Sequence, residues 1–559
     1  MKGDFARVTF DPTRHYSQVF QQQGRVLLEA DWNEQGNIQL HLLRSLIRDL
    51  LGPCWAAGTG FALTGSTTDP NGTVKPLPLT DWRLAPGHFY VDGILCENEA
   101  LVTLAAQPYR PTPDYGVSGT TTTGFENPSA SYALYLDVWE RHLSAAESPA
   151  ISDVALNGVD TCSRAQVVWQ LRMLSQAQAD QQLDGITAAL DVRLQASTDA
   201  TTQAAINQQL LDVRTLRDGI DGNGNANTND DPCVMVRQLL GARGTWALPR
   251  LSAKLGPVES DNDPCVIAAD ASYRGCENQL YRVEIHQGGP AGVAGAASAA
   301  SFKWSRENGS VVFPVAGSIA TTTLADGSTQ LVVPLARLGR DARLGLVAND
   351  WVELVDDNYT LGQRAYPLLL VVAVDVANCA VTLAAPRGGA WWPLSSDQLQ
   401  HPLLRRWDQR AGVNTQGVLA VIEGATAPIT LEDGIQITFE PGGLYATGEY
   451  WLIPARVIGN DHLGWPQVTA ADGSSGPVAL PPRGLHHSAV LGVSDDGDYH
   501  ECCCRFDSLC AQQQASAIGS GKQSAVVDAR AVAVPASVKK VRKGARATKK
   551  SGANEAKSG

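Results

Sequence analysis

Between residues 244 and 500 the chain repeats one pattern: a short run rich in Val, Ile, Leu, Tyr and Trp, then Gly, Pro, Asn or Asp. "NQLYRVEIH", "ASFKWSRENGSVVFPV", "WVELVDD", "LLLVVAVDVANCAVTLAA" and "GIQITFEPGGLYATGEYWLIPARVI" are examples. Runs of this kind at roughly ten-residue spacing predict antiparallel strands in barrel or sandwich modules. Residues 60–145 read the same way, through "GFALTG", "HFYVDGILCEN" and "YALYLDVWERHLS", with a Thr/Gly/Pro loop at 110–131. With 559 residues and 53 Gly the chain exceeds one core, so the expectation is a mainly β, multidomain protein.

Two segments depart from the pattern. In "DWNE", Asp31 is expected as a helix N-cap with Glu34 three residues on. Ile38, Leu42, Leu46 and Leu50 then form one apolar stripe, closed by Gly52-Pro53. The residues before it read as extended pieces joined by a Pro turn and a Gly turn. Within 166–220, Leu183, Ile186, Leu190 and Leu194 make one helical stripe and Ile206, Leu210, Val213 and Ile220 another. "ASTDATT" lies between them as the tip of an αα-hairpin, expected as a coiled-coil-like projection. The resulting division is a segment 1–52, a β-rich domain 53–165, a helical insertion and hinge 166–230, β domains 231–400 and 401–510, and a tail 511–559.

No run of eighteen apolar residues occurs, so no membrane span is expected. The opening "MKGDFARVTF" lacks the apolar core of a secretory signal, which predicts cytoplasmic synthesis and any export by another route, such as release of a particle on lysis. The net charge is −13, yet the last 23 residues carry eight Lys/Arg against one Glu. An acidic body of this kind repels nucleic acid, and the basic end reads as a solvated terminus.

Signatures of chemistry are sparse. No Walker loop, G-x-S-x-G, H-E-x-x-H or paired C-x-x-C is present. Asp221, Asn223 and Asn225 alternate like an EF-hand loop, but Ala226 and Pro232 stand where that loop needs Gly and Glu. Glu284 and His286 share one face of a strand and could form a base with its orienter, although a satisfied polar pair is the expectation. His486 and His487 point to opposite faces of an extended chain and make poor joint ligands. Asp356-Asp357 and Glu432-Asp433 are the carboxylate pairs a glycoside hydrolase would need, at positions where turns also favour acids. Trp391-Trp392 and Trp451 could stack on sugars or fill cores. In "ECCCRFDSLC", Cys502, Cys504 and Cys510 are the weak metal candidates. Adjacent cysteines do not aim two sulfurs at one ion, so buried free thiols are expected, with neither metal nor cofactor.

Longer motifs carry a resemblance. "MKGDFARVTFDPTRHYSQVFQQQGRVLLEADWNEQ", "YLDVWERHLSAAESPAISDVALNGVDTCSRAQVVWQ", "LGRDARLGLVANDWVELVDD", "LEDGIQITF" and "LPPRGLHHSAVLGV" resemble a bacterial family of unassigned biochemical role encoded beside extracellular contractile injection systems, the phage-tail-like particles. The opening also resembles the docking segments of phage tail-fibre and baseplate proteins. By that resemblance Phe10, Asp11, Tyr16, Gly24, Arg25, Asp31, Trp32, Asn33 and Glu34 would belong to a docking module, with Pro12, Val19, Glu29 and Gln35 completing its pattern. The resemblance implies no catalytic residues. It implies a structural or adaptor role, baseplate or tail proteins as partners, and a homo-oligomer. The alternatives are a fibre module binding a cell-surface glycan or protein, and a delivered hydrolase. The extra cysteines, the longer helical hairpin and the basic tail depart from the family pattern.

Overall fold

The computed structural model describes residues 1–507 except 69–73, 112–130, 222–230, 257–272, 274, 293–298, 326, 342, 387–398, 425–427, 458–461, 470–472, 474 and 496–497. The architecture is mainly β, and no sheet closes into a barrel among the described residues. The loop expected at 110–131, the Trp391-Trp392 pair, Asn223, Asn225, Ala226, Cys510 and the tail fall largely or wholly outside these residues.

Antiparallel pairs dominate. A five-stranded sheet runs Leu419–Ala420, Ser301–Ser305, Gln279–Gln287, Tyr450–Arg456, His462–Leu463. Its interior gathers Tyr281, Val283, Phe302, Phe439, Trp451 and Ile453. In a seven-stranded sheet, Trp351–Val355 lies between Leu403–Trp407 and the central strand Leu369–Asp375. The strands Ser301–Ser305 and Leu403–Trp407 are buried on both faces, whereas Leu369–Asp375, which carries most of the apolar run "LLLVV", buries Leu369 and Val371 and exposes Val372.

Sheets also join distant parts of the chain. Tyr132–Leu143 pairs with both Arg164–Ser175 and His487–Asp495. Arg505–Phe506 pairs in parallel with Cys54–Ala57. The helical text therefore begins later than 166. The strand Arg164–Ser175 comes first, and Ser175 then starts α2 (Gln176–Ala196) through a capping box with Gln178. After Ser197–Asp199, α3 (Ala200–Ile220) returns antiparallel, with Asp199 as its N-cap.

This hairpin is not the expected projection. Leu183, Ile186, Leu190, Ile206, Leu210 and Val213 share one core with Val490 and Val493 of the sheet and with a further helix, α4 (Pro232–Trp246). The sequence text carried a signal for α4, namely Asp231 as N-cap followed by Pro at the first helical position. Asp221, at the start of the stretch expected as a hinge, ends α3 and accepts from Gln176 Nε2 at 2.9 Å.

The first helix, here called αN (Glu29–Leu51), ends at Gly52 as expected and sits against the Asp92-Gly93 hairpin turn. Both turn residues have positive φ, 48° and 80°, the conformation that lets two strands reverse over two residues. A Cβ on Gly93 would lie 2.4 Å from the backbone oxygen of Arg44 in αN. Gly93→Ala is therefore expected to lower stability by about 2–4 kcal/mol. The shift of a urea denaturation midpoint measures it, and an unchanged midpoint would refute this account of the helix seat.

Candidate docking surface

The amino-terminal segment is an extended arm laid along αN. Asp11 accepts from Thr13 N and Oγ1 at 2.9 and 2.7 Å and caps the single turn Pro12–Arg14. Gly24, at φ 72°, makes the second turn. Three side chains of αN hold the arm: Glu29 Oε1 accepts from Ala6 N at 3.0 Å, Glu34 Oε2 from Thr9 Oγ1 at 2.5 Å, and Gln35 Oε1 from Val19 N at 2.6 Å. Phe10 packs on His41 with ring centroids 5.7 Å apart.

These bonds change the reading of "DWNE". The helix starts at Glu29, two residues before Asp31, after Leu28 with no side-chain cap. Asp31 is thus inside the first turn, where its charge complements the helix dipole, and Glu34 is spent on the arm in place of a capping box. The tertiary bond from Ala6 to Glu29 supplies what a local cap would have. Of the residues expected to dock, Phe10, Asp11, Gly24, Asp31 and Glu34 therefore shape the segment. Tyr16, Arg25, Trp32 and Asn33 face outward.

The outward face carries many large apolar side chains among its polar ones. Trp32 is 79% exposed, Val26 81% and Leu50 72%, and Phe20, Leu27, Leu42, Leu43 and Leu46 are also exposed. Of the expected stripe only Ile38 is buried, so Leu42, Leu46 and Leu50 have no cover from this chain among the described residues. Single exposed apolar residues are ordinary, but this many on one arm and helix make the segment a candidate interaction surface.

The inner end of the same segment is anchored in a buried ionic cluster. Lys2 Nζ lies 2.9 Å from Glu284, which also pairs with Arg282 at 2.5 Å and Lys303 at 3.5 Å. Lys303 reaches Glu353 at 2.5 Å, and Glu353 further accepts from Tyr359 Oη at 2.6 Å and Trp407 Nε1 at 2.9 Å. Asn308 Nδ2 donates to Gly3 O at 2.9 Å, and Arg44 forks onto Glu140 at 2.9 and 3.1 Å. Burial alone would raise the Glu353 carboxyl; Lys303 and Lys2 outweigh it and bring it down to about 2. Burial, opposed by Glu284, lowers Lys2 to about 8.

The other candidates occupy structural positions. Glu284 belongs to the cluster, while His286 is fully buried and pushed down to about 3, first by desolvation and then by Lys303. The expected satisfied pair is not formed: Glu284 is bonded to Lys2, Arg282 and Lys303, and His286 Nδ1 has no hydrogen-bond partner among the described residues. Asp356 accepts from Tyr359 N at 2.7 Å and Gln400 N at 3.2 Å, and Asp357 pairs with Arg141 and His401. Glu432 and Asp433 both accept from Tyr281 Oη, and Glu432 also pairs with Arg306. His486 pairs with Asp137 at 2.6 Å and His487 with Asp92 at 2.7 Å, on separate sides as expected. Trp451 is a core residue whose Nε1 donates to Leu480 O, which removes it as a sugar platform.

The cysteines correct the reading of free thiols. Cys502 is disulfide-bonded to Cys233 at the start of α4, with Cα atoms 5.4 Å apart. Cys503 is free, and burial pushes its thiol up to about 12. Cys504 is exposed and free. Among the described residues no cluster of His, Cys, Asp and Glu could hold a metal ion, and no described helix is long and apolar enough to cross a membrane.

Sheets with separate cores and an uncovered amino-terminal surface define a mainly β, multidomain protein with an outward-facing docking candidate. The chain belongs to DUF6519, a family of unknown function, whose model matches residues 1–558. Curated proteins include none that matches it. Among solved structures it is similar to one described as "Crystal structure of TssK", at 9% identity and a TM-score of 0.13, covering 76% of this chain and 98% of that one. A TM-score that low establishes no shared fold.

Proposed function

We propose that the protein is a non-enzymatic structural or adaptor component of a contractile, phage-tail-like particle, seated through residues 1–52 and presenting its β body. The observation that carries this reading is the uncovered apolar face of the arm and αN, on a segment whose other face is bonded into the body. Such a face gains free energy only when a partner removes it from water. The long motifs resembling the contractile-system family support a particle protein as that partner. The carboxylate candidates, with His486 and His487, support a non-enzymatic role, since each is engaged in caps, ion pairs or core bonds. Several copies about a particle axis accord with the symmetry of such assemblies.

Deleting the whole segment would also remove Lys2 from the ionic cluster, so point changes give the cleaner test. Leu42→Asp with Leu46→Asp alters only exposed side chains and should leave the melting temperature within the small range typical of surface changes. If these leucines are central anchors, affinity falls by roughly thirtyfold or more, and the variant leaves the sedimented particle fraction in which the parent chain is found. Equal sedimentation of variant and parent, or absence of the parent from particles, would overturn the proposal.

A further inference from the structure

Behind the arm lies a cavity of about 440 Å³, within the range of small-molecule sites. Its charged lining consists of seven Lys or Arg residues and four Glu, in a chain of net charge −13. Local pairing does not cancel the excess. Lys2, Arg282 and Lys303 share two carboxylates, Glu284 and Glu353. Arg405 is matched by Glu147 at 3.4 Å, while Arg44 and Asp357, from outside the lining, match Glu140 and Arg141. Arg483 lines the cavity with no ion-pair partner among the described residues.

A second observation is independent of the charge balance. Arg405 is 4% exposed, and its Nη1 donates to Gly309 O, yet its Nε has no hydrogen-bond partner among the described residues. His142, on the same lining, has an unpartnered Nε2. Buried guanidinium N–H groups are rarely left unbonded, and a guanidinium offers the planar fork that oxyanions fit. The surrounding field agrees. Burial is the main force lowering Lys2 and His142, and Arg405 adds to it in both cases.

We propose that this cavity binds a small oxyanion, the phosphate or carboxylate group of a small molecule, held by Arg405 and Arg483 with Lys2 on the same lining. The anion would offset the surplus positive charge of the lining. No bond is made or broken. The inference does not depend on docking to a particle, because the cavity is built from the body and the inner end of the arm.

The test uses the full chain, titrated calorimetrically and melted with inorganic phosphate and, separately, malonate, at ionic strength held constant with sodium chloride. The expected result is saturable one-site binding of at least one probe, with a higher melting temperature than in chloride alone. Saturation by phosphate assigns a phosphate ligand, and saturation by malonate alone assigns a carboxylate. Arg483→Gln should weaken binding at least tenfold, whereas Arg483→Lys should keep a saturable isotherm. Arg483 is exposed, and its bonds to Tyr450 are made by backbone atoms, so the variants should fold. Both probes behaving as chloride does, or parent and Arg483→Gln giving the same isotherm, would overturn the assignment.

Discussion

Glu353→Ala should lower the unfolding free energy by roughly 3–5 kcal/mol, the range seen when one partner of a buried ion pair is removed. The size follows from what stays behind. Lys303, Tyr359 and Trp407 each lose an acceptor at 2.5–2.9 Å, and all three are buried. Lys303 keeps only Glu284, at 3.5 Å, which Lys2 and Arg282 already share. Glu353→Gln retains an acceptor oxygen without the charge and should cost less. The pH dependence has a definite sign. The folded carboxyl lies at about 2, below its ordinary value of 4.5. Its contribution is therefore complete above the ordinary carboxylate range and fades as pH falls from there through about 2; the displacement amounts to on the order of 3 kcal/mol. Glu284, also held well below its ordinary value, moves stability the same way. Urea denaturation of parent and Glu353→Ala at pH 6 and pH 3 checks this. The gap should narrow toward pH 3, and a constant gap would contradict the account.

How much of this was legible in the text depended on the range of the forces involved. Strands were readable because their signal is local: β-branched and aromatic runs, with turn residues such as Asp92-Gly93 between them. The stripes of Leu183 to Leu194 and Ile206 to Ile220 were readable for the same reason. Where those helices pack was not, since Val490 and Val493 of their core lie far along the chain. The true start of αN was hidden because Ala6, Thr9 and Val19 bond to helix side chains and displace the local cap. Most hidden was the ionic cluster, whose members come from Lys2, "YRVEIH", "FKWSR" and "WVELV". A faint signal existed: charged residues inside otherwise apolar central strands, where both faces must be buried and each charge needs a partner. The candidate docking surface was half legible. Leu42, Leu46 and Leu50 were correctly grouped, but no reading of one chain reveals that their cover is missing from it.

Opening the Cys233–Cys502 bond should cost roughly 3–5 kcal/mol, because it joins residues 269 apart and so removes much freedom from the unfolded chain. The bond's position gives the loss a specific place. Cys233 opens α4, whose packing completes the core of the α2–α3 hairpin, and Cys502 follows the strand Asp498–Glu501. Three residues beyond Cys502, Arg505–Phe506 pairs with Cys54–Ala57, which directly follows αN. Reduction should therefore loosen the carboxy-terminal strand and the root of αN before the central sheets. Cys503 is a poor substitute, since burial keeps its thiol protonated and thiolate is the reactive form. The expected results are a lower melting temperature under reductant, faster hydrogen exchange at 502–506 and 54–57, and a Cys233→Ser, Cys502→Ser variant that melts low with or without reductant. If reductant leaves both the melt and the exchange of those strands unchanged, the bond does not clamp this corner, and the antiparallel sheet around Tyr132–Leu143 alone holds it.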